Sequence, residues 1–81
     1  MDPNEISGLI EQGLPQAKVE VTTDGQGHYL ALVISEDFAG KRSLQRHQMV
    51  YATLGSRVGN EIHALALKTL TPEEAAQASD G

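Results

Sequence analysis

The chain of 81 residues contains no cysteine and no tryptophan, and its only aromatic residues are Tyr29, Phe38 and Tyr51. Without cysteine, the chain cannot form a disulfide, bind a metal through a thiolate or use a thiol nucleophile. A soft metal would have to be bound through histidine or through the ligands of a partner. With so few aromatic rings, the chain also offers little material for the exposed platforms on which single-stranded nucleic acids stack.

Basic residues are scarce: six Lys and Arg stand against eleven Asp and Glu, for a net charge of −5. This balance argues against a general binder of the phosphate backbone, which depends on clustered positive charge. The basic residues are nevertheless segregated, because Lys41, Arg42, Arg46 and Arg57 fall within one stretch of the chain. A solvated basic edge is the commoner explanation, but the contrast with an acidic remainder favours a docking surface for an anionic group.

Long hydrophobic runs are absent. The longest, Tyr29 to Ile34, is too short to span a bilayer, and the N-terminus lacks the basic start and apolar run of a signal peptide. The length and the composition of 40% hydrophobic and 21% charged residues are typical of one soluble globular domain. We therefore expect a cytoplasmic protein with no membrane partner. The sequence contains no GxSxG, P-loop or HExxH motif, so we do not expect an enzyme.

The periodicity of the apolar residues predicts an α+β domain with the order α-β-β-α-β-α, in which helices pack on a three-stranded sheet. The predicted elements are a helix at 3–13, strands at 17–23 and 28–35, a helix from 43 to about 55, a strand at 61–69 and a helix from 72 through 76. Asn4 is the predicted cap of the first helix, and Thr71 with Glu74 is predicted to form a capping box on the last. We expect a single domain over 1–81, with its core at about 4–75 and a frayed acidic tail at 76–81.

The stretch from Gly40 to Leu54 is predicted to form the central amphipathic helix, with Ser43 as its N-cap. Spacings of three and four place a set of residues on one face: Leu44, His47, Tyr51, Leu54 and Val58. We expect this face to meet the core and Arg46 to lie at its flank. Phe38, in the preceding loop, is predicted to plug the core.

The three histidines are candidate metal ligands, but each also has a structural interpretation. His63 starts the third strand, where a partly buried histidine bonded to backbone is the commoner case and a metal ligand the functional one. His28 follows a glycine turn, where a solvated histidine is commoner, and His47 shares the apolar helix face. Their spacing matches no local metal signature, so any metal site would be completed by the fold or by a partner.

Four sequence segments together resemble the BolA family. They are Ser35-x-x-Phe38-x-Gly40-Lys41, Leu44-x-Arg46-His47-x-x-Val50-Tyr51-x-x-Leu54, Ile62-His63-Ala64-Leu65 and Thr71-Pro72-x-Glu74. The short turn Asp24-Gly25-Gln26-Gly27 is similar to the IbaG branch of the family. The resemblance covers about residues 4–75 and implies a fold similar to a class II KH domain, with a role in the stress response. Ala75 departs from the family pattern, which usually places Trp there, so the last helix is expected to lack an anchor.

The resemblance implies that the partner is a monothiol glutaredoxin with a CGFS motif. The two proteins would share a bridged [2Fe-2S] cluster in iron–sulfur trafficking or iron sensing. In that arrangement the glutaredoxin cysteine and glutathione supply sulfur, and the histidine of the Ile62-His63-Ala64-Leu65 segment, His63, is the expected ligand from this chain. His28, one step past the hairpin turn, is a second candidate. No cofactor is expected in the isolated chain, which would be a monomer or a weak dimer.

The resemblance also implies a docking face that contains Lys41, Arg42, Arg46 and His47. We expect Arg46→Glu to weaken glutaredoxin binding without unfolding the protein. The alternative function is a KH-like transcriptional regulator that binds nucleic acid through Lys41, Arg42 and Arg46. The net charge and the lack of a GxxG before the central helix weigh against it.

Overall fold

The computed structural model describes residues 1–62 and 64–79 of the chain, and its element order is the predicted α-β-β-α-β-α. The elements are α1 (Pro3–Gly13), β1 (Lys18–Thr23), β2 (His28–Ile34), α2 (Ser43–Leu54), β3 (Ala64–Leu70) and α3 (Pro72–Ser79). Short 3-10 turns at Glu36–Phe38 and Gly55–Arg57 stand on either side of α2. Among these described residues, no helix is both long and apolar enough to cross a membrane.

The three strands form one mixed sheet with the order β1-β2-β3. β1 and β2 are antiparallel, as their short glycine turn requires. β2 and β3 are parallel, because the α2 crossover returns the chain to the same end of the sheet. Leu32 lies at the centre of the register, opposite Glu20 on β1 and Lys68 on β3.

The core lies between one face of the sheet and the helices α1 and α2. Alternation along β2 turns Tyr29, Ala31 and Val33 inward and leaves their neighbours on the other face. Phe38 is fully buried, as predicted for a plug. The buried apolar residues are Ile6, Ile10, Leu14, Tyr29, Ala31, Val33, Phe38, Val50, Leu54 and Ile62.

Gly13 permits a close approach between α1 and α2. A Cβ atom at this position would lie 2.8 Å from Thr53 Cβ and would collide with Thr53 Cγ2. The sequence marks Gly13 only as a helix stop, and the packing gives it a second role, since any side chain would force the two helices apart.

The predicted core face of α2 is confirmed at Leu54 and wrong at Leu44 and Tyr51. Val50 and Leu54 are fully buried, whereas Leu44 and Tyr51 are 70% and 38% exposed. Arg46, Val50 and Leu54 also follow a spacing of four, so the sequence is compatible with either face. The buried face is the one that lets the Arg46 guanidinium lie over the Phe38 ring, with its Cζ 5.8 Å from the ring centre.

The predicted helix starts also need correction. Asp2, and not Asn4, caps α1: its Oδ1 accepts from the Asn4 N–H at 2.7 Å. The N-cap position of α2 is Arg42, and not Ser43; the Gln45 side chain accepts from the Arg42 N–H at 3.2 Å. In contrast, the predicted capping box of α3 is confirmed, because the Thr71 and Glu74 side chains each accept from the other residue's N–H.

Element boundaries differ from the predictions by a few residues. β1 begins at Lys18, β2 ends at Ile34, and β3 runs from Ala64 to Leu70. α3 extends to Ser79, beyond the predicted end at 76. Ser35 is buried at the end of β2. Its hydroxyl accepts from the Asp37 N–H at 3.1 Å and so caps the 3-10 turn that follows the strand.

Candidate docking and metal-ligand site

The turn between β1 and β2 is held by its own polar side chains. Thr23 Oγ1 donates to the His28 carbonyl at 2.8 Å and accepts from the Gly25 N–H at 3.1 Å. Asp24 Oδ1 accepts from the Gln26 N–H at 2.7 Å. Gly25 and Gly27 have φ values of +82° and +85°, which glycine adopts without strain. These contacts fix the geometry of the hairpin end of the sheet.

A carboxylate and an imidazole meet at this turn. Asp24 Oδ2 lies 2.8 Å from His28 Nδ1. The hydrogen bond from the Gln26 N–H, followed by that from His28, lowers the pKa of Asp24 from its ordinary value of 3.8. An imidazole that donates Nδ1–H to a carboxylate binds a metal through Nε2, and this pairing orients the ring in many metal sites.

The start of β3 lies beside the same turn. The Ala64 N–H donates to the Gly27 carbonyl at 3.1 Å, and Ala64 is the register partner of His28. His63, the principal ligand predicted from sequence, lies outside the described residues, so its role stays a prediction. Its chain neighbour Ala64 is nevertheless placed at the hairpin end.

The types of side chain available as ligands limit which metal centre this chain can help to bind. Within residues 1–62 and 64–79, no three His, Asp or Glu side chains come together as a metal-binding group. The whole chain has no thiolate to offer an iron–sulfur cluster. The residues at the hairpin end therefore fit such a cluster only as a source of imidazole beside the sulfur ligands of a partner.

α2 presents an exposed apolar stripe next to this end of the sheet. We call Leu44, His47 and Tyr51 the outer stripe, since they follow a spacing of three and four on the solvent side of the helix. Leu44 is 70% exposed, Tyr51 is 38% exposed, and His47 is half-buried. The Tyr51 hydroxyl donates to the Leu65 carbonyl at 3.3 Å, so the stripe reaches the start of β3. The helical spacing predicted that these residues face the core, whereas the structure leaves Leu44 and Tyr51 exposed.

Arg46 is tied into the fold, and its side chain is only 12% exposed. Its Nε donates to the Lys41 carbonyl at 2.8 Å, and its Nη1 donates to the Thr69 carbonyl at 3.2 Å. Its two Nη groups also bond the two carboxylate oxygens of Glu74, at 2.7 and 3.3 Å. Arg46 thus joins α2, the end of β3 and α3. Its docking role stays a prediction, and these contacts argue that Arg46→Glu would also destabilise the fold.

The other predicted docking residues lie near the N-terminal end of α2. Lys41 and Arg42 are exposed, and Lys41 Nζ donates to the Asp37 carbonyl at 3.0 Å. α2 runs antiparallel to β3, because Arg46 contacts Thr69 whereas Tyr51 contacts Leu65. The structure therefore places the basic residues and His28 at opposite ends of β3, about 17 Å apart along the strand. The outer stripe connects the two ends.

Glu74 completes the Arg46 network and also closes the α3 capping box. The hydrogen bonds from Arg46, and then the one from the Thr71 N–H, lower the pKa of Glu74 from its ordinary value of 4.5 to about 2. A lowered folded-state pKa stabilises the protein above the unfolded-state pKa. This stabilisation is lost as the pH falls from about 4.5 toward 2.

We therefore expect the acid sensitivity of the fold to depend on Glu74. Glu74→Gln keeps an oxygen acceptor for the Thr71 N–H but removes the titrating charge. The variant should unfold at lower urea than the wild type at pH 7, and the difference should shrink as the pH falls from 4.5 to about 2. Urea titrations at four pH values measure this. A difference that stays constant with pH would show that the Glu74 charge does not contribute.

Comparison with known proteins places this geometry in a family. The family model for BolA-like proteins matches residues 10–74. The chain is 33% identical to acid stress protein IbaG of Escherichia coli over 75 residues, which cover 91% of this chain and 88% of that protein. It is also 39% identical to the DNA-binding transcriptional regulator BolA of Escherichia coli over 54 residues, 67% of this chain and 51% of that protein.

Solved structures agree with the sequence comparison. A BolA protein homologue from Coxiella burnetii superposes with a TM-score of 0.83 at 40% identity, covering 94% of this chain and 97% of that one. The chain spans only about half the length of the BolA regulators that it matches. The family model, the IbaG relative and the shared fold lead to one conclusion: the chain belongs to the BolA-like protein family.

Proposed function

We propose that this protein is a docking partner of a monothiol CGFS glutaredoxin and contributes an imidazole to a [2Fe-2S] cluster held between the two proteins. The observation that carries the proposal is the exposed apolar outer stripe of α2, whose Tyr51 bonds the start of β3. The same end of the sheet carries His28, held by Asp24 on the opposite face. A family resemblance supplies the class of partner. The surface and the donor chemistry of this chain supply the reasons to expect it here.

The outer stripe supplies the docking step. Leu44 and Tyr51 are large apolar side chains that remain exposed although the core beneath them is filled. Exposed aromatic side chains such as Tyr51 often carry much of the binding energy at protein interfaces, and an apolar neighbour such as Leu44 helps to exclude water from them. A glutaredoxin seated on the stripe would also contact the start of β3, since Tyr51 bonds the Leu65 carbonyl.

The hairpin end supplies the ligand step. His63 is the principal proposed ligand, and His28, held by Asp24 at 2.8 Å, is the second candidate. The glutaredoxin cysteine and glutathione would provide the sulfur that this chain lacks. Histidine in place of thiolate raises the reduction potential of a [2Fe-2S] cluster, which suits a role in iron–sulfur trafficking or iron sensing.

Anaerobic reconstitution with a CGFS glutaredoxin, glutathione, iron and sulfide tests the proposal. We expect visible absorbance and circular dichroism of a mixed complex that differ from those of the glutaredoxin alone. His63→Ala should abolish that spectrum. His28→Ala tests the second candidate, because it should change the spectrum only if His28 is also a ligand. An unchanged spectrum for His63→Ala would show that His63 is not a ligand of the cluster. Failure of the two proteins to associate would refute the docking role.

A second candidate function is transcriptional regulation, favoured by the DNA-binding regulators among the relatives. Lys41 and Arg42 are exposed and would carry phosphate contacts, whereas the Arg46 side chain is occupied internally. Titration of labelled duplex DNA at two salt concentrations tests this function. Affinity that falls with salt and is reduced in Lys41→Glu would support it, and absence of binding at low salt would exclude it.

A further inference from the structure

The sheet has an outer face that α1 and α2 do not cover. It consists of alternate residues of the three strands, since the partners in each register row point to the same side. The outer face comprises Lys18, Glu20 and Thr22 of β1, His28, Leu30, Leu32 and Ile34 of β2, and Ala64, Ala66, Lys68 and Leu70 of β3. We propose that two copies of this chain associate through this outer face.

The centre of the outer face is apolar. Leu30 is 50% exposed, and Leu32 and Ile34 beside it are partly buried. Ala66 flanks Leu30 and Leu70 flanks Ile34 in the register of β3. Together they form a continuous stripe along β2, rather than scattered single residues.

One row of the outer face carries opposite charges at its two ends. Leu32 is the register partner of both Glu20 and Lys68, so the row reads acidic, apolar, basic across the sheet. Two strand spacings separate the backbones of the two charged residues by about 10 Å, with Leu32 between them. In the part of the chain that the structure describes, neither of them forms a salt bridge.

This row is complementary to itself, which is why a second copy is the occupant we infer. A two-fold axis parallel to the strands, midway between two stacked sheets, places β1 of one copy over β3 of the other. Leu32 then meets Leu32 of the second copy, and each Glu20 faces the other copy's Lys68. A two-fold interface requires such self-complementarity. Lys18, the other lysine of the outer face, lies at the rim of this interface. Its aliphatic stem can cover Leu70 of the second copy while its ammonium stays in water.

The size of the patch sets the expected affinity. Three strands of about seven residues cover roughly 300 Å² on each copy, from strand spacings of about 4.8 Å and a rise of about 3.3 Å per residue. Stable complexes bury about 800 Å² per partner. The dimer should therefore be weak, with a dissociation constant of about 0.1–1 mM, and salt should weaken it further.

Sedimentation equilibrium of the full chain up to about 1 mM tests the proposal with a charge exchange. Glu20→Lys places lysine at both ends of the row, and Lys68→Glu places glutamate at both ends. Each variant alone should associate at least roughly tenfold more weakly than the wild type. An equimolar mixture of the two should form a heterodimer. A two-fold axis that stacked each strand on its own copy would place Glu20 over Glu20 and would not predict this pattern of loss and recovery.

Leu30→Asp supplies a second test, because its half-exposed side chain can be replaced without opening the core. Circular dichroism should show a folded variant, and sedimentation should show a monomer. Leu44→Asp, on α2, is the matched control and should associate as the wild type does. A monomeric wild type at about 1 mM, a mixture that fails to pair, or loss of association in Leu44→Asp alone would each overturn the proposal.

Discussion

Replacing Arg46 with methionine is expected to lower the free energy of unfolding by about 2–4 kcal/mol. Methionine preserves the apolar stem but removes every hydrogen bond of the guanidinium and its cation–π contact with the Phe38 ring. The Thr69 carbonyl, the Lys41 carbonyl and the Glu74 carboxylate would then lose their shared donor. Bonds from a charged donor are among the stronger ones in proteins, and three of these four bonds are partly buried, so their joint loss should be large.

Urea denaturation at pH 7 measures this effect. Arg46→Lys should recover only part of the lost stability, since an ammonium cannot reproduce the planar fork that reaches three acceptors. Lys41→Met is the matched surface control: Lys41 is exposed with one side-chain bond, and the change should cost about 0.5 kcal/mol or less. An Arg46→Met protein as stable as the wild type, but deficient in glutaredoxin binding, would make Arg46 a docking residue instead of a structural one.

Leu44→Asp is expected to weaken glutaredoxin binding by roughly 100-fold while leaving the fold intact, given the proposed function. Leu44 is 70% exposed, so its replacement removes little packing within the chain. In a complex seated on the outer stripe, the aspartate would instead be buried without a partner. Isothermal titration with the apo glutaredoxin gives the affinity without the need for a cluster.

Leu30→Asp is the matched control for this binding measurement. Leu30 is 50% exposed and carries the same type of side chain, but it lies on the outer face of the sheet, away from α2. Glutaredoxin should bind this variant with wild-type affinity. If Leu44→Asp binds normally and Leu30→Asp does not, the glutaredoxin docks on the sheet and the outer stripe has another purpose.

Local signals in the sequence predicted much of the fold. The glycine turn defined the hairpin, and the spacing of Thr71 and Glu74 defined the start of α3, because both depend on neighbouring residues only. The face of α2 could not be predicted in the same way. Two residue sets on that helix satisfy helical spacing, and the choice depends on where Phe38 and the end of β3 lie in space.

The candidate site, like the fold, could be predicted from the sequence only in part. The pairing of Asp24 with His28 follows from hairpin register, so an acidic residue before the turn and a histidine directly after it were an available signal. The Arg46–Glu74 pair joins residues far apart in the chain, and no local pattern indicates it. Charge alone therefore assigned Arg46 to the surface, although its side chain is mostly covered.

The most direct test of the account is to detect a nitrogen ligand from this chain on the cluster. The chain is labelled with ¹⁵N-histidine, combined with unlabelled glutaredoxin and glutathione, and the reduced [2Fe-2S] complex is examined by pulsed electron paramagnetic resonance. We expect a ¹⁵N coupling typical of a directly bound imidazole, which disappears in His63→Ala. A cluster that forms between the two proteins without any ¹⁵N coupling would contradict it, since all ligands would then come from the glutaredoxin and glutathione.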